Sequence, residues 1–90
     1  MRLDLFLKTS RLIPRRTLAQ EFCDAGRIRV GGVRAKSSKE VKAGDELEIR
    51  RRDRLTKIRI LEIPAKKQVS KEAAAGLFEV LSEERFEENF

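Results

Sequence analysis

At Gly26 the spacing of apolar residues changes from every third or fourth position to every second, which dictates helices first and strands after. Upstream, Leu3, Phe6 and Leu7 fall at i, i+3 and i+4 and predict a helix over about residues 2–10. Leu5 lies off that stripe and needs a second contact or stays partly wet, while Arg2, Lys8 and Arg11 face away from it. Pro14 suits the first turn of a second helix, where its missing N–H costs nothing. Leu18 and Phe22 make that helix's core line, with Ala19, Cys23 and Ala25 beside it and Gly26 just past its end. Arg15 and Arg16 sit in its opening turn, and the two helices meet at a tight Leu12–Pro14 corner.

Downstream, Ile28 and Val30 alternate with arginines before Gly31–Gly32, a two-residue turn that accepts positive φ. Val33 and Ala35 resume a strand, and Val41 follows in a looser stretch before the turn at Gly44–Asp45. Leu47 and Ile49 alternate again. Arg50 to Arg54 forms a charged hairpin tip, equally well explained by solvation as by a ligand, and Thr56, Ile58 and Ile60 share a face of the next strand. Lys66 to Ser70 reads as a linker. Ser70 is placed to cap a last helix over roughly 71–81, carried by Ala73, Ala74, Leu77, Phe78 and Leu81. Ser82 to Phe90 is acidic and expected to fray unless Phe86 and Phe90 pin it. The fold class is α+β: two N-terminal helices packed on a small antiparallel sheet over residues 1–64, then a linker, short helix and acidic tail over 65–90.

Ninety residues allow one modest core, burying about 60–65% of the surface that the unfolded chain exposes. The formal charge of +6 is unevenly spread. Residues 1–71 hold 20 Lys or Arg against 9 Asp or Glu, a net +11, while residues 72–90 hold one Arg against six Glu, a net −5. A body at +11 attracts polyanions at long range. A single cysteine, Cys23, and no histidine rule out an intrachain disulfide and a Cys/His zinc site, and suit a reducing, cytoplasmic setting. No apolar run approaches the length needed to span a membrane, and residues 2–10 are too polar for a secretory signal.

Two arrangements could serve RNA. On the helical face, Arg2, Arg11, Arg15 and Arg16 converge if the helices pack at their corner, and helix-opening amides near Arg15 add donors for a phosphate. At the rim of the sheet, Arg27, Arg29, Arg34, Lys36 and Lys39 would grip backbone rather than read bases. The competing explanation is an ordinary solvated face with surface pairs worth under about 1 kcal/mol each. Trp and Tyr are absent and Phe6, Phe22 and Phe78 sit at helical core spacing, which favours folded RNA over a naked strand. Catalysis lacks its parts. Gly26, Gly31 and Gly32 are spaced for turns rather than a phosphate loop, Cys23 has no histidine to activate it, Asp4 can pair with Lys8, and Asp45 and Asp53 sit in turns.

The fragments Arg2-Leu3-Asp4 with Phe6-Leu7, Arg15-Arg16-Thr17-Leu18-Ala19, Gly26 to Gly32, and Val41-Lys42-Ala43-Gly44-Asp45-Glu46-Leu47 together resemble the S4-type RNA-binding domain. Over nearly the whole chain, from Met1-Arg2-Leu3-Asp4 through Ser10-Arg11-Leu12-Ile13 to Ala73-Ala74, the likeness is to that family's ribosome quality-control branch, itself similar to heat shock protein 15. The resemblance implies a non-catalytic, cofactor-free monomer. It would bind the rRNA of a stalled large ribosomal subunit together with its peptidyl-tRNA, beside an RqcH-like elongating partner that adds C-terminal alanine tails. It puts the basic contacts on Arg2 and Arg16, with Arg11 and Arg15 as neighbours, and makes Asp4 the acid that orients them. Where the family's turn reads Asn-Gly, this chain has Gly31-Gly32, which keeps the hairpin and loses a side-chain cap. Two alternatives stand beside this: a heat-shock-type factor recycling large subunits, and a protein–protein adaptor using the acidic C-terminal helix.

Overall fold

The computed structural model describes residues 1–86. Helices α1 (Leu3–Thr9) and α2 (Arg16–Asp24) precede strands β1 (Ile28–Val30), β2 (Val33–Arg34), β3 (Glu46–Arg50) and β4 (Arg54–Ile60), and a one-turn helix α3 (Lys71–Ala75) leads into β5 (Phe78–Arg85). All five strands join one antiparallel sheet in the order β2-β1-β3-β4-β5. The α+β expectation holds, with the period switching where Gly26 places it.

Strand register explains how one face of the sheet became core. Ile28 opposes Ile49, which opposes Thr56, and Leu47 opposes Ile58. These residues are buried together with Leu3, Phe6, Leu7 and Ile13 from the helical layer. The alternate residues form charged rows on the other face: Arg29, Glu48 and Lys57 in one, Glu46, Arg59 and Glu79 in the next. Gly31 and Gly32, at φ 59° and 83°, make the tight β1–β2 turn with the doubly positive geometry that suits a two-residue hairpin.

Three expectations need correction. The core line of α2 runs through Ala19 and Cys23 rather than Leu18 and Phe22, which stay half-buried. Small residues at the centre let the two helix backbones approach closely, and the larger side chains close the sides. Pro14 lies two residues before the first residue of α2, because Arg15 is extended (φ −134°, ψ 143°) and serves as the N-cap. The helix expected over 71–81 stops at Ala75. Ser70 does cap it, accepting from the Ala73 amide at 3.1 Å, but after Gly76 the chain becomes β5 and pairs with β4 from Ile60↔Phe78 to Arg54↔Arg85. The apolar residues Leu77, Phe78 and Leu81 suit either period, and the unpaired edge of β4 decides in favour of strand. Ser82 to Arg85 therefore belong to the sheet rather than to a frayed tail. Phe86 does pin the end: its amide donates to the Asp53 carbonyl at 2.8 Å and its ring lies 4.5 Å from the Arg50 guanidinium. Phe90, the other expected anchor, lies outside the described residues.

Candidate nucleic-acid interface

The first turn of α1 carries an acid with no exposed surface. Asp4 is fully buried, and five donor groups converge on it. Arg2 donates through Nε and Nη2, each at 3.3 Å, Arg16 through Nε at 3.3 Å, Gln20 through Nε2 at 2.9 Å, and the Leu5 amide at 2.8 Å. Burial alone pushes the carboxyl's pKa up, but bonds from Gln20, Arg16 and Leu5 and the Arg16 charge outweigh it and hold the group below its ordinary value. Asp4 is therefore ionised at neutral pH. It pairs with the two arginines rather than with Lys8, the i+4 partner that helical spacing offered.

The pairing positions the arginines without neutralising them. One carboxylate faces two guanidinium groups, so the cluster keeps a charge of about +1. The arginine side chains remain 45% and 42% exposed. Arg16 engages Asp4 through Nε, so its two terminal nitrogens remain to form a planar fork for an oxyanion. Arg2 sits just before α1 and Arg16 opens α2, and the shared acid fixes them relative to each other. Gln20, one turn beyond Arg16, completes the hold. The sequence reading missed it, although its i+4 spacing from Arg16 was a usable signal.

The sheet side contributes through the loop after β2. The Lys39 carbonyl accepts from the Leu3 amide at 2.8 Å and the Ser37 carbonyl from the Asp4 amide at 3.1 Å. This loop caps the N-terminus of α1 and brings the backbone of exposed Lys39 beside Leu3, while exposed Lys36 lines a cleft with Asp24 and Arg34 at the end of α2. Arg15, exposed at the N-cap of α2, adjoins Arg16, and α2 opens without a side-chain cap.

Other predicted residues go elsewhere. Arg11 does not join Arg2 and Arg16; it follows the far end of α1, at φ 63°, and its Nη2 donates to the Val69 carbonyl at 3.3 Å. Arg34 folds onto the C-terminus of α2, donating to the Asp24 carbonyl at 2.6 Å, where a cation complements the helix dipole. Arg27 stacks 5.6 Å from the centre of the Phe22 ring and, with Arg29, Arg50 and Glu48, lines a separate cleft of about 200 Å³. Arg29 lies on the face of β1 opposite buried Ile28. Of the hairpin tip, Arg51 is structural: it donates through Nη2 to the Leu12 carbonyl at 2.7 Å and through Nη1 to Thr56 Oγ1 at 3.3 Å, tying the β3–β4 tip to the helical corner.

Asp45 and Asp53 keep the turn roles expected of them. Asp45 accepts from the Lys42 amide at 3.0 Å, and Asp53 pairs with Arg54 at 3.6 Å. Cys23 is 2% exposed, and burial with the charges of Asp4 and Asp24 pushes its thiol up to about 11. A thiol so placed is protonated at neutral pH and unsuited to nucleophilic attack. Among the described residues no helix is long and apolar enough to cross a membrane.

Comparison with known proteins places this geometry in a family. The S4 domain family model matches residues 1–47. The chain is 51% identical over 89 residues to the RQC P-site tRNA stabilizing factor of Streptococcus pneumoniae, covering 99% of each chain. It is 49% identical over 88 residues to the protein of that name from Bacillus subtilis, covering 98% of this chain and all of the other. Among solved structures, Vibrio cholerae Heat Shock Protein 15, described as trimeric, superposes with a TM-score of 0.81 at 29% identity over 91% of this chain and 82% of its own. The solution structure of the hypothetical protein HP1423 gives 0.80 at 36% identity, over 91% of this chain and 98% of that one.

Proposed function

The chain belongs to the S4 domain family, together with the RQC P-site tRNA stabilizing factors it matches end to end, and on that premise we propose that it is a non-catalytic RNA-binding factor of ribosome-associated quality control. It binds, as a cytoplasmic monomer, the rRNA of a stalled large ribosomal subunit and the peptidyl-tRNA in its P site. By steadying that tRNA it supports addition of C-terminal alanine tails by an RqcH-like partner. The names of the near-full-length relatives support the ribosomal setting.

One observation carries the reading at the level of residues: a buried Asp4 holding Arg2 and Arg16, half-exposed, at the junction of two helices. A carboxylate that spends its burial on orienting two cations outward prepares them for an external anion. Planar guanidinium forks suit phosphate oxygens, and Arg15 and Lys39 extend the contact along a backbone, with Lys36 further out beside Asp24 and Arg34. Arg27, Arg29 and Arg34 contribute to the general field, with their side chains engaged by Phe22, the sheet and the α2 carboxyl end.

The test is co-sedimentation of the full chain with large subunits carrying peptidyl-tRNA. Arg16→Ala is expected to abolish association while circular dichroism and melting remain those of a folded protein. Unchanged co-sedimentation of the folded variant refutes the site. Association of the wild-type chain should also weaken steeply with salt, because each phosphate contact releases counterions.

A further inference from the structure

A second cluster of cations lies at the other end of α1, away from Asp4. Lys8, Arg11 and Lys67 line an open cleft of about 340 Å³ with Thr9, Pro14, Gln68 and Val69. No carboxylate lines it, and among the described residues no ion-pair partner is found for any of the three cations. We infer that this cleft is a second, separate site for a phosphodiester backbone, so that the protein holds two RNA segments at opposite ends of one short helix. The inference rests on the RNA-binding reading above.

The cleft is built rather than incidental. The buried Thr9 donates through Oγ1 to the Lys67 carbonyl at 2.9 Å, and Arg11 donates to the Val69 carbonyl at 3.3 Å. These two bonds, each spanning 58 residues, dock the segment expected to be a free linker against α1 and so fix Lys67 opposite Lys8 and Arg11. Arg11 occupies the left-handed position just after the helix, where glycine is the ordinary choice. An arginine there is retained against a conformational cost, which points to a use for its side chain. Only Nη2 is engaged with Val69, so the guanidinium keeps donors for a ligand. Three carbonyls of the helix carboxyl end, which would otherwise repel an anion, are engaged: those of Phe6, Leu7 and Lys8 accept from the Ser10, Ile13 and Arg11 amides.

The experiment measures affinity of the full chain for a short fluorescein-labelled RNA hairpin as a function of salt. Each lost phosphate contact lowers the log–log salt slope by about 0.9, and removes about eightfold in affinity near 0.1 M salt if the contact is worth nothing at 1 M. Lys8→Ala with Lys67→Ala is expected to lower the slope by about 1.8 and affinity roughly sixtyfold. Arg11→Gly removes its own contact and one of the two bonds that fix Lys67, so it is expected to lower the slope by about 0.9 or more, with a melting temperature no lower than that of the wild type because relief of the left-handed strain offsets the lost Val69 bond. Unchanged slopes in both variants, with Arg16→Ala still reducing the slope, overturn the second site and leave the first. A lowered melting temperature for Arg11→Gly with an unchanged slope marks Arg11 as a latch on Val69 and also overturns it. Failure of the wild type to bind either hairpin or large subunit removes the RNA reading itself.

Discussion

Replacing Asp4 by asparagine separates two roles for the buried acid that predict opposite changes in RNA affinity. Asparagine fills the same volume but puts an amide nitrogen where one carboxylate oxygen stood, so donors meet a donor on the Arg2–Leu5 side or on the Arg16–Gln20 side. Bonds to a charged partner contribute about 1.5–3 kcal/mol each, and the low end applies because both arginines can rehydrate at their exposed tips. The expected loss of stability is about 2–3 kcal/mol, or roughly 10–20 °C in melting temperature for a domain of this size. The charge effect runs the other way: deleting one negative charge some 7 Å from a phosphate in a high-dielectric setting strengthens binding by about 0.6 kcal/mol. Against it, Arg2 and Arg16 lose their preset orientation, and re-immobilising two such side chains on binding costs about 1–3 kcal/mol. The net expectation is weaker binding, between about twofold and fiftyfold, in fluorescence anisotropy at fixed salt and at a temperature where the variant is folded. A folded Asp4→Asn protein that binds as tightly as the wild type, or more tightly, refutes the positioning argument and leaves Asp4 as a charge that merely opposes binding.

Arg51→Ala should cost about 1.5–3 kcal/mol in urea denaturation, by stranding the Leu12 carbonyl, and leave RNA affinity of the folded protein unchanged; a neutral effect on stability would remove Arg51 as the link between tip and corner. The Cys23 thiol, raised from 9.0 to about 11, should react with a disulfide probe near pH 8 about a hundredfold more slowly in the folded than in the unfolded chain. Because the folded pKa is the higher one, the buried thiol's contribution to stability is complete below about pH 9 and is lost as pH rises towards 11, by about 2–3 kcal/mol, which Cys23→Ala should abolish. Truncation after Lys71 removes buried Leu77 and all of β5, baring the edge of β4, and should give a destabilised, self-associating protein by analytical ultracentrifugation; a stable monomer would show that β5 is dispensable.

Legibility followed the strength of the periodic signal. The stripe Leu3–Phe6–Leu7 and the alternation Leu47–Ile49, Thr56–Ile58–Ile60 each fit one period, and these residues are core. The α2 core line was misread by one position because Leu18 and Phe22 are larger than Ala19 and Cys23; side-chain size says how much can be buried, whereas helix–helix approach decides which face is centred. The segment after Gly76 was misread because Leu77, Phe78 and Leu81 fit both periods, and only the presence of an unpaired β4 edge, a tertiary fact, resolves them. At the candidate site, Arg2, Asp4 and Arg16 came together as the family resemblance implied. The separation of Arg11 from them was not readable, since it depends on a left-handed turn at a non-glycine residue and on carbonyls 58 positions away.

The fold also accounts for the uneven charge along the chain. If the acidic segment packed against the helices, its six glutamates would cancel much of the field that the first 71 residues generate. Instead its residues 78–85 form β5 at one edge of the sheet, while β2 lies at the other. There its acids find the sheet's own cations: Glu79 pairs with Arg59 at 2.8 Å, and Glu83 with Arg54 at 3.9 Å and Arg85 at 3.5 Å. Glu46 and Glu48 from β3 engage Arg59 and Lys57 in the same way. Exposed pairs like these add little to stability. Their effect is on the distribution of potential: Arg54, Lys57 and Arg59 of β4 are locally balanced, and Glu79 and Glu83 of β5 are engaged there rather than on the helical corner. A chain whose net charge is only +6 can thereby present a face with the field of a more basic protein, directed where Asp4 and the docked 67–69 segment hold its side chains ready.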